Sequence, residues 1–364
     1  MNCFHTLIMA AVLVLAGLLA LGCKRSAHKE SYPVVHPDNR VGFDVNKPEA
    51  DSVSVDICGK VYPLEKDAEG HWKGTSDPLE PGFHYYFLLV NGERQTDPRS
   101  HTYYGWGRQA SGVDIPEPGV DFYLKKDVPH GQLCVSKYWS EVRNDWRTCK
   151  VYVPADYLKN QDQRFPVLYL QHGGGEDFNA WFQQGCATDI LDNLIAEKKA
   201  VPMIIVCECG QVDGFDRILL EETIPTVDKD YRTIPDARHR AMAGLSFGGG
   251  QSWSIGLKHP ETFSSIGIFS SGMFGGVGPG AYAPFSVESQ LPELLSDPEA
   301  FNAAHDVFYI SCGEEDPRIE FTRTAVEALK AAGADVRFSA FPGDHEWQPW
   351  RKSLHEFAQL IFKK

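Results

Sequence analysis

Basic residues are the first shortage in this chain: 35 lysines and arginines stand against 49 aspartates and glutamates, a formal charge of −14. A surface of that sign repels phosphate backbones, which argues against nucleic acid as a partner and suits a neutral or polysaccharide substrate. Cysteine is also sparse, at nine in 364 residues. A chain this long builds its own apolar core, so these cysteines do not form a disulfide scaffold. Cys207 and Cys209, two apart on one strand, read as core positions rather than a redox pair. No Cys/His spacing matches a zinc site, and neither a metal nor a cofactor is implied. The glycine-rich stretch His172-Gly173-Gly174-Gly175 has no Gly-Lys-Ser/Thr after it, which weakens the reading as a phosphate cradle. Formal charge is missing from positions 4–22, an apolar run that ends at Cys23 before Lys24-Arg25.

What the chain does have is Gly244-Leu245-Ser246-Phe247-Gly248. The short apolar run Arg240-Ala241-Met242-Ala243 precedes it, and helix-forming sequence begins near Gly250. That is a strand, a tight turn and a helix with serine at the apex, and glycines where backbone must pass close to backbone. A hydroxyl is a poor nucleophile at neutral pH, so it needs a base, and the base needs an orienting acid. The strand-like run 306–312 ends in Gly313-Glu314-Glu315-Asp316-Pro317, and the next, 336–341, ends in Pro342-Gly343-Asp344-His345. Ser246, Asp316 and His345 therefore follow in the order Ser–Asp–His, at loop positions on one edge of a parallel sheet. Asp316 also fits a helix N-cap, with Glu315 and Glu314 as rival acids. His355 is the one later histidine, and it sits inside a helical pattern.

The buried-strand sequence 165–171 runs straight into the glycines of 172–175. Such a turn offers backbone N–H groups to a developing oxyanion, so Gly173 and Gly174 are candidate donors, together with the N–H of Phe247.

With these residues in place, the chain resembles the feruloyl and acetyl-xylan esterases and the wider esterase-D and enterochelin-esterase-like group. The matching segments are Val128-Pro129-His130-Gly131, Val151-Tyr152-Val153-Pro154, 166–175 with Trp181, 190–194, 224–232, 240–250, 313–316 and 342–347. The resemblance spans essentially all of residues 126–364. It implies an α/β-hydrolase catalytic domain and a Ser-His-Asp acyl-enzyme mechanism. The implied reaction removes feruloyl or acetyl groups from an acylated plant polysaccharide or oligosaccharide such as xylan. Two features depart from the family: Phe247 stands where methionine is usual, and the loop 209–215 is short. An acyltransferase on the same triad is an alternative, as is a catalytically inert surface glycan-binding protein.

Upstream of the esterase, short alternating strands fall at 52–55, 71–74 and 84–90, the last closed by the hairpin signal Asn91-Gly92. Residues 39–120 read as a small all-β immunoglobulin-like sandwich resembling an early-set module, which either binds glucan or packs and positions the esterase. The segment 1–22 resembles a bacterial lipoprotein signal peptide, with Cys23 the lipidation site and 23–38 a tether; an uncleaved N-terminal anchor is the alternative. The expectation is an exported lipoprotein of the outer membrane, on its periplasmic or cell-surface face, touching membrane through the lipid alone.

In the esterase, strands are predicted near 132–139 and 147–153, then from about 166, 203, 240, 265, 307 and 336. Helices are predicted at 187–197, 216–230, 250–259, 317–332 and 347–362, with 272–292 a wall or lid. Trp181, Phe215, Phe247, Phe274 and Trp347 are candidate walls for an acyl group, and Trp106 a candidate sugar contact. That many aromatics favours a feruloyl ester over an acetyl ester.

Overall fold

The computed structural model describes residues 32–274 and 284–363. The signal segment, Cys23 and most of the tether lie outside them, as does part of 272–292. Among the described residues, no helix is long and apolar enough to cross a membrane.

The N-terminal region is entirely β. One sheet joins β1 (Val34–Val35), β2 (Val41–Asn46), β5 (Glu65–Lys66) and β6 (His71–Thr75) in the order β1-β2-β6-β5. The second holds β3 (Val53–Ile57), β4 (Lys60–Pro63), β7 (Gly82–Val90), β9 (Thr102–Gly105) and β10 (Arg108–Ile115) in the order β4-β3-β7-β10-β9, with β8 (Glu93–Gln95) on β7. Alternation explains the pairing. Val41, Phe43 and Val45 from the first sheet meet Val53, Val55, Tyr86 and Leu88 from the second in one apolar core. The Asn91-Gly92 turn has both residues at positive φ, 51° and 83°, the two-residue hairpin geometry those side chains favour.

The C-terminal region is an eight-stranded sheet. The hairpin β11 (Gln132–Ser140) and β12 (Asp145–Val153) runs antiparallel at one edge. Parallel strands follow: β13 (Val167–Gln171), β14 (Ile204–Glu208), β15 (Arg240–Leu245), β16 (Ser265–Phe269), β17 (Val307–Gly313) and β18 (Val336–Phe341). The order is β11-β12-β14-β13-β15-β16-β17-β18. The parallel strands from β13 to β17 are buried along their whole length, so their sequences are near-continuous apolar runs. On one face, helical segments at 215–230 and 319–331 cover Val167, Ile204, Met242 and Ile266; on the other, those at 187–196 and 347–358 cover Leu168, Ile205, Ala243 and Phe269.

Two predicted helices differ in detail. The one after Ser246 begins at Phe247 rather than near 250, and loosens into wider turns over Ser252–Gly256. The 216–230 helix widens at Ile218–Thr223, just before Pro225, whose ring nitrogen has no hydrogen to donate. Within 284–292, Val287 and Leu291 are buried in the core, so this part of the expected lid packs inward.

The β region does not hang free. Phe83 of β7 joins the core beneath Trp347 and Trp350. Arg351, 2% exposed, forks onto the Asp114 carboxylate at 2.6 and 3.2 Å and also donates to the carbonyl of Gln184. A fork of that kind fixes orientation as well as charge.

Candidate active site

Ser246 caps a strand that is buried over its full length, and its backbone is strained at φ 49°, ψ −112°. A side chain in that region costs about 1–3 kcal/mol and persists only where neighbours hold it. Here the Ser246 N–H donates to the Phe269 carbonyl at 2.8 Å, and the Ser271 hydroxyl donates to the Ser246 carbonyl at 2.7 Å. Glycine at 248 is required for a different reason. A Cβ there would lie 2.6 Å from the carbonyl oxygens of Gln171 and His172, so the helix approaches β13 only without one.

The structure brings the three predicted residues together. His345 Nε2 lies 3.0 Å from Ser246 Oγ, and its Nδ1 lies 2.6 Å from Asp316 Oδ2. With Nδ1–H donating to the carboxylate, Nε2 is left to accept the serine proton. The imidazole also rests edge-on against Trp350, with ring centroids 5.0 Å apart. Asp316 is buried, and its second oxygen accepts the Arg318 N–H at 2.9 Å and the Arg318 guanidinium at 3.3 Å. Burial alone would raise its pKa. The His345 hydrogen bond and charge, with Arg318, outweigh that and hold the carboxyl below its ordinary value. The rival acids separate cleanly: Glu314 and Glu315 are exposed, and Glu315 accepts the Gly343 N–H at 2.5 Å, bracing the histidine loop from outside. His355 packs against Phe122, with centroids 4.4 Å apart.

The glycine loop divides its three N–H groups. Gly173 N–H donates to Glu176 Oε2 at 2.9 Å, and Gly175 N–H donates to Gln211 Oε1 at 2.8 Å. Among the described residues, the N–H groups of Gly174 and Phe247 meet no acceptor. The expected oxyanion set is therefore corrected: Gly174 and Phe247 keep open donors, whereas the Gly173 N–H is already committed. His172 anchors the loop beneath. Its Nδ1 donates to the Gly173 carbonyl at 2.7 Å, its Nε2 accepts the Gly210 N–H at 3.3 Å, and burial lowers its pKa, favouring the neutral ring.

Glu176 is the residue that sequence reasoning missed. Its other oxygen accepts the Tyr85 hydroxyl of β7 at 3.3 Å, and Tyr85 in turn accepts from Gln184 at 2.7 Å. Desolvation raises its pKa to about 7, against the opposing pull of the Gly173 N–H and the Tyr85 hydroxyl. The signal in the sequence was an acid directly after three glycines, the first of the pair Glu176-Asp177.

Most of the expected aromatic walls are not walls. Trp181 is fully buried, donates its indole N–H to the Gln171 carbonyl at 2.9 Å, and packs edge-on against Trp347, itself buried. Phe215 and Phe274 belong to the core on the opposite face of the sheet. Trp181, Phe215 and Trp347 fill the interior because the helices carrying them turn their apolar sides to the sheet, and Phe274 packs there from the turn after β16. Phe247 is half-buried beside Ser246, and Trp106 is 75% exposed.

One further donor cluster, His130 with Asp189 and Asp192, lies elsewhere. The Asp192 oxygens already serve His130, the Gly131 N–H and Tyr152.

A strained serine elbow on a mostly parallel sheet, with aspartate and histidine from the ends of β17 and β18, defines the class: an α/β-hydrolase. The chain belongs to the family described as "Putative esterase", which matches residues 140–360. It is 38% identical over 359 residues to an endo-1,4-beta-xylanase/feruloyl esterase of Xylanibacter ruminicola, covering 92% of this chain and 46% of that protein. The chain thus spans about half the length of that relative. A solved ferulic acid esterase is similar at 27% identity and a TM-score of 0.55, covering 64% of this chain and 98% of its own. The enterobactin esterase of Shigella flexneri, solved with enterobactin, shares the fold over 88% of this chain and 92% of its own, at 16% identity and a TM-score of 0.64.

Proposed function

We propose that the protein is a serine carboxylic-ester hydrolase that removes feruloyl groups from plant cell-wall polysaccharide such as xylan. The observation that carries this reading is the unbroken relay from Ser246 Oγ through His345 to Asp316, at 3.0 and 2.6 Å, beside two open backbone donors. In the first half-reaction, Ser246 Oγ attacks the ester carbonyl as His345 takes its proton. The N–H groups of Gly174 and Phe247 stabilise the negative oxygen that forms, and Asp316 stabilises the imidazolium. His345 then gives its proton to the departing sugar oxygen. Water, activated by the same histidine, releases the acid.

The feruloyl preference draws its support from the Xylanibacter relative and the solved ferulic acid esterase. The aromatic count no longer argues for it, since Trp181, Phe215, Phe274 and Trp347 are interior. An acetyl-xylan esterase is the second reading. Labelling of Ser246 by a fluorophosphonate tests the nucleophile. Specificity constants on feruloylated and acetylated xylo-oligosaccharides test the acyl group; a large preference for the acetylated sugar replaces the feruloyl reading and leaves the triad standing. The β region is proposed to be an early-set, immunoglobulin-like module. Export as an outer-membrane lipoprotein through Cys23 is part of the same proposal, and Cys23→Ser releasing the protein from the membrane fraction is its test.

A further inference from the structure

We propose that Trp106, carried by the β region, is a sugar-stacking residue that holds the glycan side of the ester beside the oxyanion loop. This rests on the esterase reading above and adds to it a substrate contact from outside the hydrolase sheet.

Trp106 and Gly107 form the whole turn between β9 and β10, since Gly105 pairs with Arg108. Both turn residues have positive φ, 58° and 73°. The first position of such a turn favours asparagine, aspartate or glycine, whose small side chains tolerate the left-handed backbone. A tryptophan is poorly suited there. Packing does not compensate, because at 75% exposure Trp106 is the most exposed large apolar side chain among the described residues.

Its position supplies the reason. The Gly107 N–H donates to the Gly175 carbonyl at 2.8 Å, which fixes the tip of the hairpin to the glycine loop. Gly175, at φ 75°, leaves no room for a side chain: a Cβ would sit 2.8 Å from the Gly107 nitrogen and 3.2 Å from the Trp106 Cα. The next residue back, Gly174, carries one of the two open N–H groups. The hairpin is also held from behind. Gln184 donates to the Tyr104 carbonyl at 3.2 Å, and a Cβ at Gly105 would collide with the Tyr85 ring at 2.4 Å. An indole is thus presented to solvent on a hairpin tip whose hydrogen bond meets the glycine loop at Gly175, next to the open Gly174 N–H.

The chemistry of the ester selects the occupant. The acyl carbonyl must sit between Ser246 and the open donors, so the acyl group lies inward of the loop. The polysaccharide continues away into solvent, across the rim where Trp106 stands. An exposed indole face stacks on the C–H face of a pyranose, burying apolar area that a small alcohol does not offer.

The test is Trp106→Asn, chosen because asparagine fits the turn and so keeps the fold. Rates are compared on a feruloylated arabinoxylo-oligosaccharide and on methyl ferulate, which has the same acyl group and no sugar. The expected result is a fall of about tenfold in the ratio of the two kcat/KM values, most of it in KM for the oligosaccharide, with Tm unchanged or higher. Trp106→Phe, which retains an aromatic face, restores part of the ratio. An unchanged ratio overturns the proposal, and so does an equal loss on both esters, which would mark Trp106 as a brace for the loop or a wall for the acyl group. If the wild type prefers acetyl esters, the acetylated xylo-oligosaccharide and methyl acetate replace the pair, with the same fall expected and the same results overturning it. Failure of the wild type on every ester, without fluorophosphonate labelling, refutes the esterase reading instead.

Discussion

The two arms that converge on Ser246 are built differently. The hydrogen bonds of the proton-relay arm all come from the hydrolase region: His345 and Asp316 come from the ends of adjacent strands, and Arg318 and Glu315 brace them from the same loops. The β region meets this arm just beyond His345, where His84 lies 3.8 Å from the Glu346 carboxylate and the Pro81 carbonyl accepts from Gln348. The oxyanion arm is held from two sides. His172 and Gln211 support it from within, whereas Tyr85 reaches Glu176, and Gly107 reaches Gly175, from the β region. The hydrogen bonds of the relay are therefore the hydrolase's own, whereas those of the glycine loop are shared between the two regions. Changes to the first arm should abolish turnover; changes to the second should grade it.

The relay arm carries the largest expected effects. Ser246→Ala and His345→Ala should each lower kcat by about 10⁴-fold or more on methyl ferulate, because triad members act as a unit. Thermal melting should change little, since both side chains are carried by turns that follow strands rather than by the apolar core. Retention of most of the activity by Ser246→Ala would refute the mechanism. Within the same arm, Asp316→Asn should cost about 10²–10⁴-fold, as loss of the carboxylate disturbs both the tautomer and the imidazolium. Glu315→Gln, which keeps an acceptor for the Gly343 N–H, should stay within about threefold. The reverse ranking would move the acid to Glu315.

The contrast between the arms also marks what a sequence can disclose. The starts expected for the last four parallel strands, 240, 265, 307 and 336, are those observed; the first three open strands buried on both faces, which must be continuous apolar runs. Ser246, Asp316 and His345 were legible because the chemistry demands an order along the chain. The helix start at Phe247 was not: Gly248, Gly249 and Gly250 are poor helix formers, and a close approach to β13 makes the helix begin there. The aromatic walls failed because nearness to a motif along the chain does not say which way a ring points. Trp181 lies close to the glycine loop in sequence, yet its indole N–H turns inward to the Gln171 carbonyl. Tyr85 and Glu176 are 91 residues apart, and nothing local in either segment announces the other.

Smaller effects are expected from the oxyanion arm. Glu176→Ala releases the Gly173 N–H and should lower kcat by about tenfold with little change in KM, the mark of an interaction made mainly in the transition state. Tyr85→Phe removes only the hydrogen bond from the β region to Glu176 and should cost about two- to threefold, again in kcat. If Tyr85→Phe matched the loss in Glu176→Ala, the brace would come almost wholly from the β region. If it cost nothing, Tyr85 would be no part of the brace, and the Gly107 N–H would be left as the hydrogen bond from the β region to the loop.

The smallest expected effect is on stability and depends on pH. Glu176 titrates near 7 in the folded protein because desolvation disfavours its charge, against 4.5 for the free side chain. A carboxyl raised in this way favours the folded state most when it is protonated in both states. That contribution is fully present below about pH 4.5, falls as pH rises toward 7, and is constant above it, since the unfolded chain then gains from an ionisation that the folded one resists. Glu176→Gln keeps the shape and removes the titration. The difference in Tm, wild type minus Glu176→Gln, should therefore fall by about a few degrees between pH 4.5 and 7 and flatten above. A difference that rises with pH over this window would mean that the Gly173 N–H and the Tyr85 hydroxyl outweigh desolvation and hold Glu176 ionised. The oxyanion arm would then be fixed by charge rather than by a carboxyl that changes protonation near neutrality.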